Sequence, residues 1–157
     1  MALLRFLRLE GIRGESQDAL HRNEIDVLSW SWGLEHPGAV HVGGAAGAGG
    51  AVPQALTILK RVDRATVELI QACASGSSIS EALLTVGYEG HVEFFRIRMW
   101  DVMVASVSTA DSNADFISES ISLRFTKVQV EYNSQSPDGV AGDRVQGQWD
   151  FRLNRRS

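Results

Sequence analysis

A chain of 157 residues holds one domain's worth of core, and at that length roughly 70% of the extended surface can be buried. Hydrophobic residues make up 44% and charged residues 22%, the values of an ordinary soluble globular chain, which exclude a disordered tail and a coiled-coil rod. With 15 Lys and Arg against 19 Asp and Glu, net −4, no basic field exists to hold a phosphate backbone, so nucleic acid is not expected as a partner.

The first ten residues, Met1-Ala2-Leu3-Leu4-Arg5-Phe6-Leu7-Arg8-Leu9-Glu10, resemble a signal peptide only superficially. Arg5, Arg8 and Glu10 interrupt the apolar run before it reaches the ~7–15 residues of a hydrophobic region. Nor does any stretch approach the ~20 apolar residues that span a bilayer. The expectation is a cytosolic chain with no membrane insertion, which leaves the cell, if at all, without a cleaved signal peptide. Leu3–Leu9 reads as a strand.

Period-two alternation governs the next segment. Over Ile25–Leu34, Leu28, Trp30, Trp32 and Leu34 share one face, while Ser29, Ser31 and Gly33 share the other. Trp30 and Trp32 are expected in the core, and Ser29 and Ser31 opposite something polar or solvent. The loop Glu35–Pro53, with Gly43-Gly44-Ala45-Ala46-Gly47-Ala48-Gly49-Gly50, exceeds the ~12–15 residues a structureless connection usually reaches. Two readings of it stay open: a solvated loop, or an arm whose missing side chains let its backbone lie against another surface.

Leu56–Val62 reads as a strand and is followed by the one helical stretch, about Thr66 to Ala74. Asp63 or Thr66 is its N-cap, Gly76 its stop, and Val62, Ala65, Leu69, Ala72 and Cys73 its apolar stripe. Cys73, the only cysteine, excludes an intrachain disulfide and packs as a small apolar residue. Further strands are predicted at Glu81–Val86, Val92–Val107 and Ile117–Tyr132. In the last, apolar positions are odd at Ile121, Leu123 and Phe125, then even at Val128, Val130 and Tyr132. That change of phase demands a bulge or kink near Thr126–Lys127. Long strands that change face suit a barrel or sandwich. Turn-rich loops are expected at Ser108–Ala114 and Ser134–Asp143. The clearest alternation closes the chain: Val145, Gly147, Trp149, Phe151 and Leu153 against Arg144, Gln146, Gln148, Asp150 and Arg152. It predicts one buried and one wet face.

No catalytic constellation emerges. After the glycine loop come Ala51-Val52-Pro53, not the Lys and hydroxyl of a phosphate loop, nor a helix. His21, His36, His41 and His91 show no metal-ligand spacing, and no Gly-x-Ser-x-Gly turn is present. Glu10, Glu15, Asp26, Asp101 and Glu131 are scattered, and read as solvated or turn-contacting groups. The expectation is a non-enzyme with no cofactor and no metal. By elimination, a small all-β chain with long strands and an oversized arm suggests a surface that meets copies of itself.

The pattern Gly11-Ile12-Arg13-Gly14-Glu15-Ser16, followed by Glu24-Ile25-Asp26-Val27-Leu28-Ser29-Trp30-Ser31-Trp32-Gly33, resembles the haemolysin-coregulated protein (Hcp) family of type VI secretion systems. The likeness continues through His41-Val42-Gly43-Gly44, Ala72-Cys73-Ala74-Ser75-Gly76 and Asp101-Val102-Met103-Val104-Ala105-Ser106-Val107-Ser108. It closes with Ser122-Leu123-Arg124-Phe125-Thr126-Lys127-Val128 and Trp149-Asp150-Phe151.

That resemblance implies an all-β fold, a β-barrel of two sheets with one short flanking helix, as a single tube domain over residues 1–157 with its extended loop at 35–53. It implies hexameric rings stacked into a tube, driven by a contractile sheath and tipped by a spike protein, then secreted with effector proteins in the lumen. Carried over by position, Glu35, His36, His41, Val42, Gly43, Gly44, Gly47 and Gly49 are expected at contacts between subunits or rings, and Ser29 and Ser31 at the lumen. The chain departs from the family pattern at Ser77–Ala82, Val86–Gly90, Val67 and Gly50, where positive charge or a helix-starting proline is replaced. A second reading stays beside the tube: a soluble β-barrel carrier for a partner protein.

Overall fold

The computed structural model describes residues 2–37, 50–113, 115–135 and 141–157. Its elements in order are β1 (Leu3–Leu9), β2 (Ile25–Asp26), β3 (Ser29–Ser31), β4 (Leu34–Glu35), β5 (Val52–Pro53), β6 (Leu56–Arg61), α1 (Ala65–Ser75), β7 (Ser78–Tyr88), β8 (Phe95–Ala110), β9 (Ser118–Arg124), β10 (Lys127–Gln135) and β11 (Ala141–Asp150). A nine-stranded sheet runs β2-β1-β7-β8-β9-β6-β3, with β10 and β11 branching from β8, and β4 and β5 form a separate ribbon.

The predicted strand Ile25–Leu34 is three short pieces, because the segment crosses from one edge of the sheet to the other. Asp26 faces Phe6 on β1, and Ser29 faces Leu59 on β6. Between them the Val27 amide donates to the Arg5 carbonyl and the Leu28 amide to the Leu59 carbonyl, at 3.0 and 2.8 Å. This crossing closes the sheet into a barrel. Trp30 and Trp32 are half-buried rather than fully in the core. Trp30 stacks on Phe95 at 5.8 Å and 13°, while Trp32 tilts against Phe125.

Strand β8 serves both layers. Its first half pairs β7 and β10, and its second half pairs β9. Ile97 and Met99 point inward, then Val102 and Val104 do. The phase flips at Asp101, whose φ of 52° puts a non-glycine residue in the left-handed region. A second register shift falls between Val104 and Ser106. The kink predicted near Thr126–Lys127 is a full break at Phe125–Thr126, separating β9 from β10.

Helix α1 begins one residue before the prediction and ends one after it. Asp63 caps it, its Oδ1 accepting from the Ala65 amide at 2.9 Å while its own amide donates to the Thr66 hydroxyl. Gly76, at φ 67°, stops it, and the Ser77 amide reaches back to the Ala72 carbonyl at 3.2 Å. Ala65, Thr66, Leu69 and Ala72 are buried and Cys73 is half-buried, whereas Val62 lies outside the stripe, 40% exposed.

Beneath the helix start, Lys60 and Glu119 are both fully buried, 2.8 Å apart. Asp63 takes a second bond from the Lys60 ammonium at 2.8 Å, and Thr66 donates its hydroxyl to Glu119 Oε2. The cluster ties α1 to β6 and β9. Removing one partner of such a pair strands a buried charge. Glu119→Ala is therefore expected to cost about 3 kcal/mol, at the low end because Asp63 still holds Lys60. A lower urea midpoint at unchanged m-value checks it; an unmoved midpoint contradicts it.

Candidate functional site

Across β3, β6, β9 and β8, one face of the sheet is lined with small hydroxyls. Register places Ser31 beside Thr57, Thr57 beside Ser122, and Ser122 beside Ser106. The next row runs Ser29, Leu59, Ser120 and Ser108. Ser29, Ser31, Ser106 and Ser108 are exposed, and Thr57, Ser120 and Ser122 are half-buried. The reverse face carries Trp30, Ile58, Ile121 and Val107 toward the core. Serine is an indifferent strand former, so a field of them is not explained by sheet stability. The sequence reading reaches Ser29 and Ser31 only. The same signal is legible in the alternate serines of Ser118-Glu119-Ser120-Ile121-Ser122 and Ser106-Val107-Ser108.

Ser108, Thr109 and Ala110 belong to β8, and Ser134 and Gln135 to β10, so the two expected loops are shorter than read. Strand β11 departs further. Alternation predicts a buried apolar face, and Trp149 and Phe151 do pack half-buried against the core, yet Val145 is 65% exposed and Leu153, in a turn beyond the strand, 57%. The physical reason is position: among the described residues β11 pairs only β10, which in turn pairs β8. The row Val86, Phe95, Tyr132, Val145 therefore climbs out of the core, with Val86 3% and Tyr132 48% exposed. A hollow of about 500 Å³ opens beside it, bounded by Trp32, Leu34, Val130, Gly147, Trp149 and Phe151. The buried Trp149 Nε1 has no acceptor among the described residues.

The root of the arm borders the same hollow. Glu35 lies in β4 opposite Val52, and Glu35 and His36 are exposed. Trp32 pins the root by donating its indole N–H to the Gln54 carbonyl at 2.9 Å, and the Gln54 amide donates to the Gly33 carbonyl. His41, Val42, Gly43, Gly44, Gly47 and Gly49 lie outside the described residues.

The charged residues scattered in sequence converge on structural bonds. Glu15 accepts from the Arg64 amide at 2.7 Å, and Asp101 from the Thr126 hydroxyl at 2.9 Å. Glu131 takes Arg96 and Arg144 at 3.1 and 2.9 Å. Sequence reasoning missed His21. It is buried, stacked on Phe6 at 4.3 Å, and donates Nδ1–H to Glu24 at 2.9 Å and Nε2–H to Glu93. Arg96 continues the chain by pairing Glu93 at 2.6 Å. The Glu93 partner lies far along the chain from His21, so no local pattern could reveal the cluster. Among the described residues, no group of three or more His, Cys, Asp or Glu could hold a metal ion, and no helix is long and apolar enough to cross a membrane.

Burial pulls the His21 pKa down, but its hydrogen bonds and charge interactions with Glu93 and Glu24 outweigh that and raise it above 6.5. A raised folded-state value stabilises fully below the unfolded pKa, and the contribution is lost as pH climbs through the folded one. The stability gap between the native chain and His21→Asn should therefore be wider at about pH 6 than at about pH 9. Urea unfolding at both values checks it, and a gap independent of pH contradicts it.

A barrel with a flanking helix is the fold this chain shares with solved type VI secretion proteins. Hcp1 of Salmonella typhimurium superposes with a TM-score of 0.85 at 31% identity, with 100% of both chains covered. A solved "type six secretion system protein" gives 0.91 at 25% identity, over 99% of this chain and 100% of the other. In sequence, Protein hcp1 of Pseudomonas aeruginosa is 41% identical over 159 aligned positions, 98% of each chain. Residues 6–132 match the family described as "Type VI secretion system effector, Hcp". The chain belongs to the Hcp family.

Proposed function

We propose that the chain is a structural subunit: a single domain over residues 1–157 that closes into hexameric rings, which stack into a secreted tube able to carry effector proteins. The observation that carries this reading is the exposed apolar face of β11. In the most regular alternation of the sequence Trp149 and Phe151 pack half-buried against the core, but Val145 and, beyond the strand, Leu153 stand in solvent, together with Tyr132, Leu34 and Val52. An amphipathic pattern whose apolar side stays wet in one copy is satisfied when another copy covers it.

The hydroxyl sheet supports ring closure independently. Among the described residues, β3 pairs only β6, and the Val104–Ala110 half of β8 pairs only β9. The four-stranded face thus ends in two different open edges. Different edges can join only head to tail, the heterologous contact that closes into a ring when its rotation divides the circle. In that ring the hydroxyl face, with Ser29 and Ser31, lines the lumen. Glu35 and His36 lead the arm, with His41, Val42, Gly43, Gly44, Gly47 and Gly49, toward the adjacent subunit or the next ring. Function here is mechanical and recognitional, with no bond made or broken. The chain waits in the cytoplasm, meets sheath and spike proteins of its secretion system, and is secreted with the tube.

Native mass spectrometry at low micromolar concentration should show a hexamer. A clean monomer favours the carrier reading instead. Val145→Asp should remove the hexamer while moving monomer stability by no more than ~0.5 kcal/mol, since the side chain is exposed; a persisting hexamer places the contact elsewhere. Deleting residues 43–49 should leave the melting temperature near its native value and weaken the stacking of rings, seen by electron microscopy. Stacking at native strength would detach the arm from that role.

A further inference from the structure

The hydroxyl face is neutral along its serine rows and cationic at both ends. Arg61 on β6 shares the side of Thr57, beside Ser118, with its guanidinium 4.1 Å above the Phe116 ring. Arg124, opposite Met103, stands at the other end. Both arginines are exposed. Among the described residues, the paired rows of this face, from Arg61, Ser118 and Ala110 at one end to Arg124 and Met103 at the other, hold no carboxylate. Just past the Arg124 end, the exposed Asp101 of β8 is engaged by the Thr126 hydroxyl and by Arg152 at 3.6 Å. Glu119, between Ser118 and Ser120, is turned inward and fully buried against Lys60.

We propose that this face selects cargo with an acidic protein surface. Such selection rests on the ring reading, which turns one face into an enclosed wall. Repetition by rotation makes each arginine a belt of cations around the lumen, and a narrow channel with low-dielectric walls focuses such a field. Serine hydroxyls between the belts both donate and accept, so they tolerate varied polar surfaces and add no charge of their own. Orientation and retention then come from the two belts, and release follows when the ring opens. Nucleic acid fits less well: it needs a continuous basic groove and aromatic platforms for its bases. The exposed side chains on this face other than arginine are small or aliphatic, with Leu59 38% and Met103 45% exposed.

The test uses the full chain, its ring state fixed first by native mass spectrometry. Fluorescent oligoglutamate, oligolysine and oligothymidylate of equal length are titrated by anisotropy at low and high salt. Oligoglutamate should bind and be released by salt, and oligolysine should not bind. Arg61→Gln combined with Arg124→Gln should weaken oligoglutamate about tenfold, each single change less, while Arg8→Gln on β1 leaves it unchanged. Equal binding of the two peptides, an unaffected double variant, or tighter binding of oligothymidylate overturns the proposal and leaves the ring standing. A chain that forms no ring overturns the ring reading itself, and this proposal falls with it.

Discussion

Everything in this fold leans on β8 and the two places where its side-chain phase changes. A strand of 16 residues with strict alternation would bury one set of residues from end to end. Here the first half must face inward with Ile97 and Met99, the middle with Val102 and Val104, and the end with Val107. The left-handed backbone of Asp101 performs the first change, at a cost of order 1 kcal/mol. Its carboxylate offsets that by accepting the Thr126 hydroxyl, and Arg152 stands 3.6 Å away. Because β8 turns there, the same strand can pair β10 on one side of the kink and β9 on the other. The hydroxyl face and the apolar ledge of β11 are the two surfaces that this division separates.

How much of this was legible depended on whether the information was local. Leu3–Leu9 was readable to the residue, and the helix to within one residue at each end, because alternation, caps and a stop glycine act over a few positions. The break between β9 and β10 was readable from a shift of apolar parity. Three features were not. The Ile25–Leu34 stretch keeps a strand pattern but is cut where it changes partners, and partners are not written in a period. The buried Lys60–Glu119 pair and the His21–Glu93 contact join residues distant in sequence, so no local pattern singled them out. At β11 the pattern was read correctly and its environment was not: alternation reports that a face needs cover, without saying whether the cover is in the same chain.

The two polar clusters sit at joints. Lys60 and Glu119 fasten the helix start to β6 and β9, and His21 fastens the Asp18–Glu24 turn to Glu93 across the outer side of β1. Against the end of that turn Gly14 has no room to spare, since a Cβ there would collide with the Glu24 carbonyl oxygen. Joints made from charges are directional in a way that apolar contacts are not, and they fix the angle at which a loop or helix meets the sheet. In the ring proposed above any angular error in the unit is repeated by every copy, so rigidity at these joints would matter beyond the stability they contribute.

The pairing of β1 also shapes how the chain is born. In chain order β1 is made well before its long partner, Ser78–Tyr88, and has only the two-residue β2 for company until that partner has emerged. A strand of leucines and phenylalanine left unpaired through that interval is an invitation to its neighbours on the same messenger. Arg5 and Arg8, spaced within it, break the run with charge and act as gatekeepers while it waits. The two charges that interrupt this apolar run are thus the ones that keep a nascent chain apart from its own copies until the barrel can close.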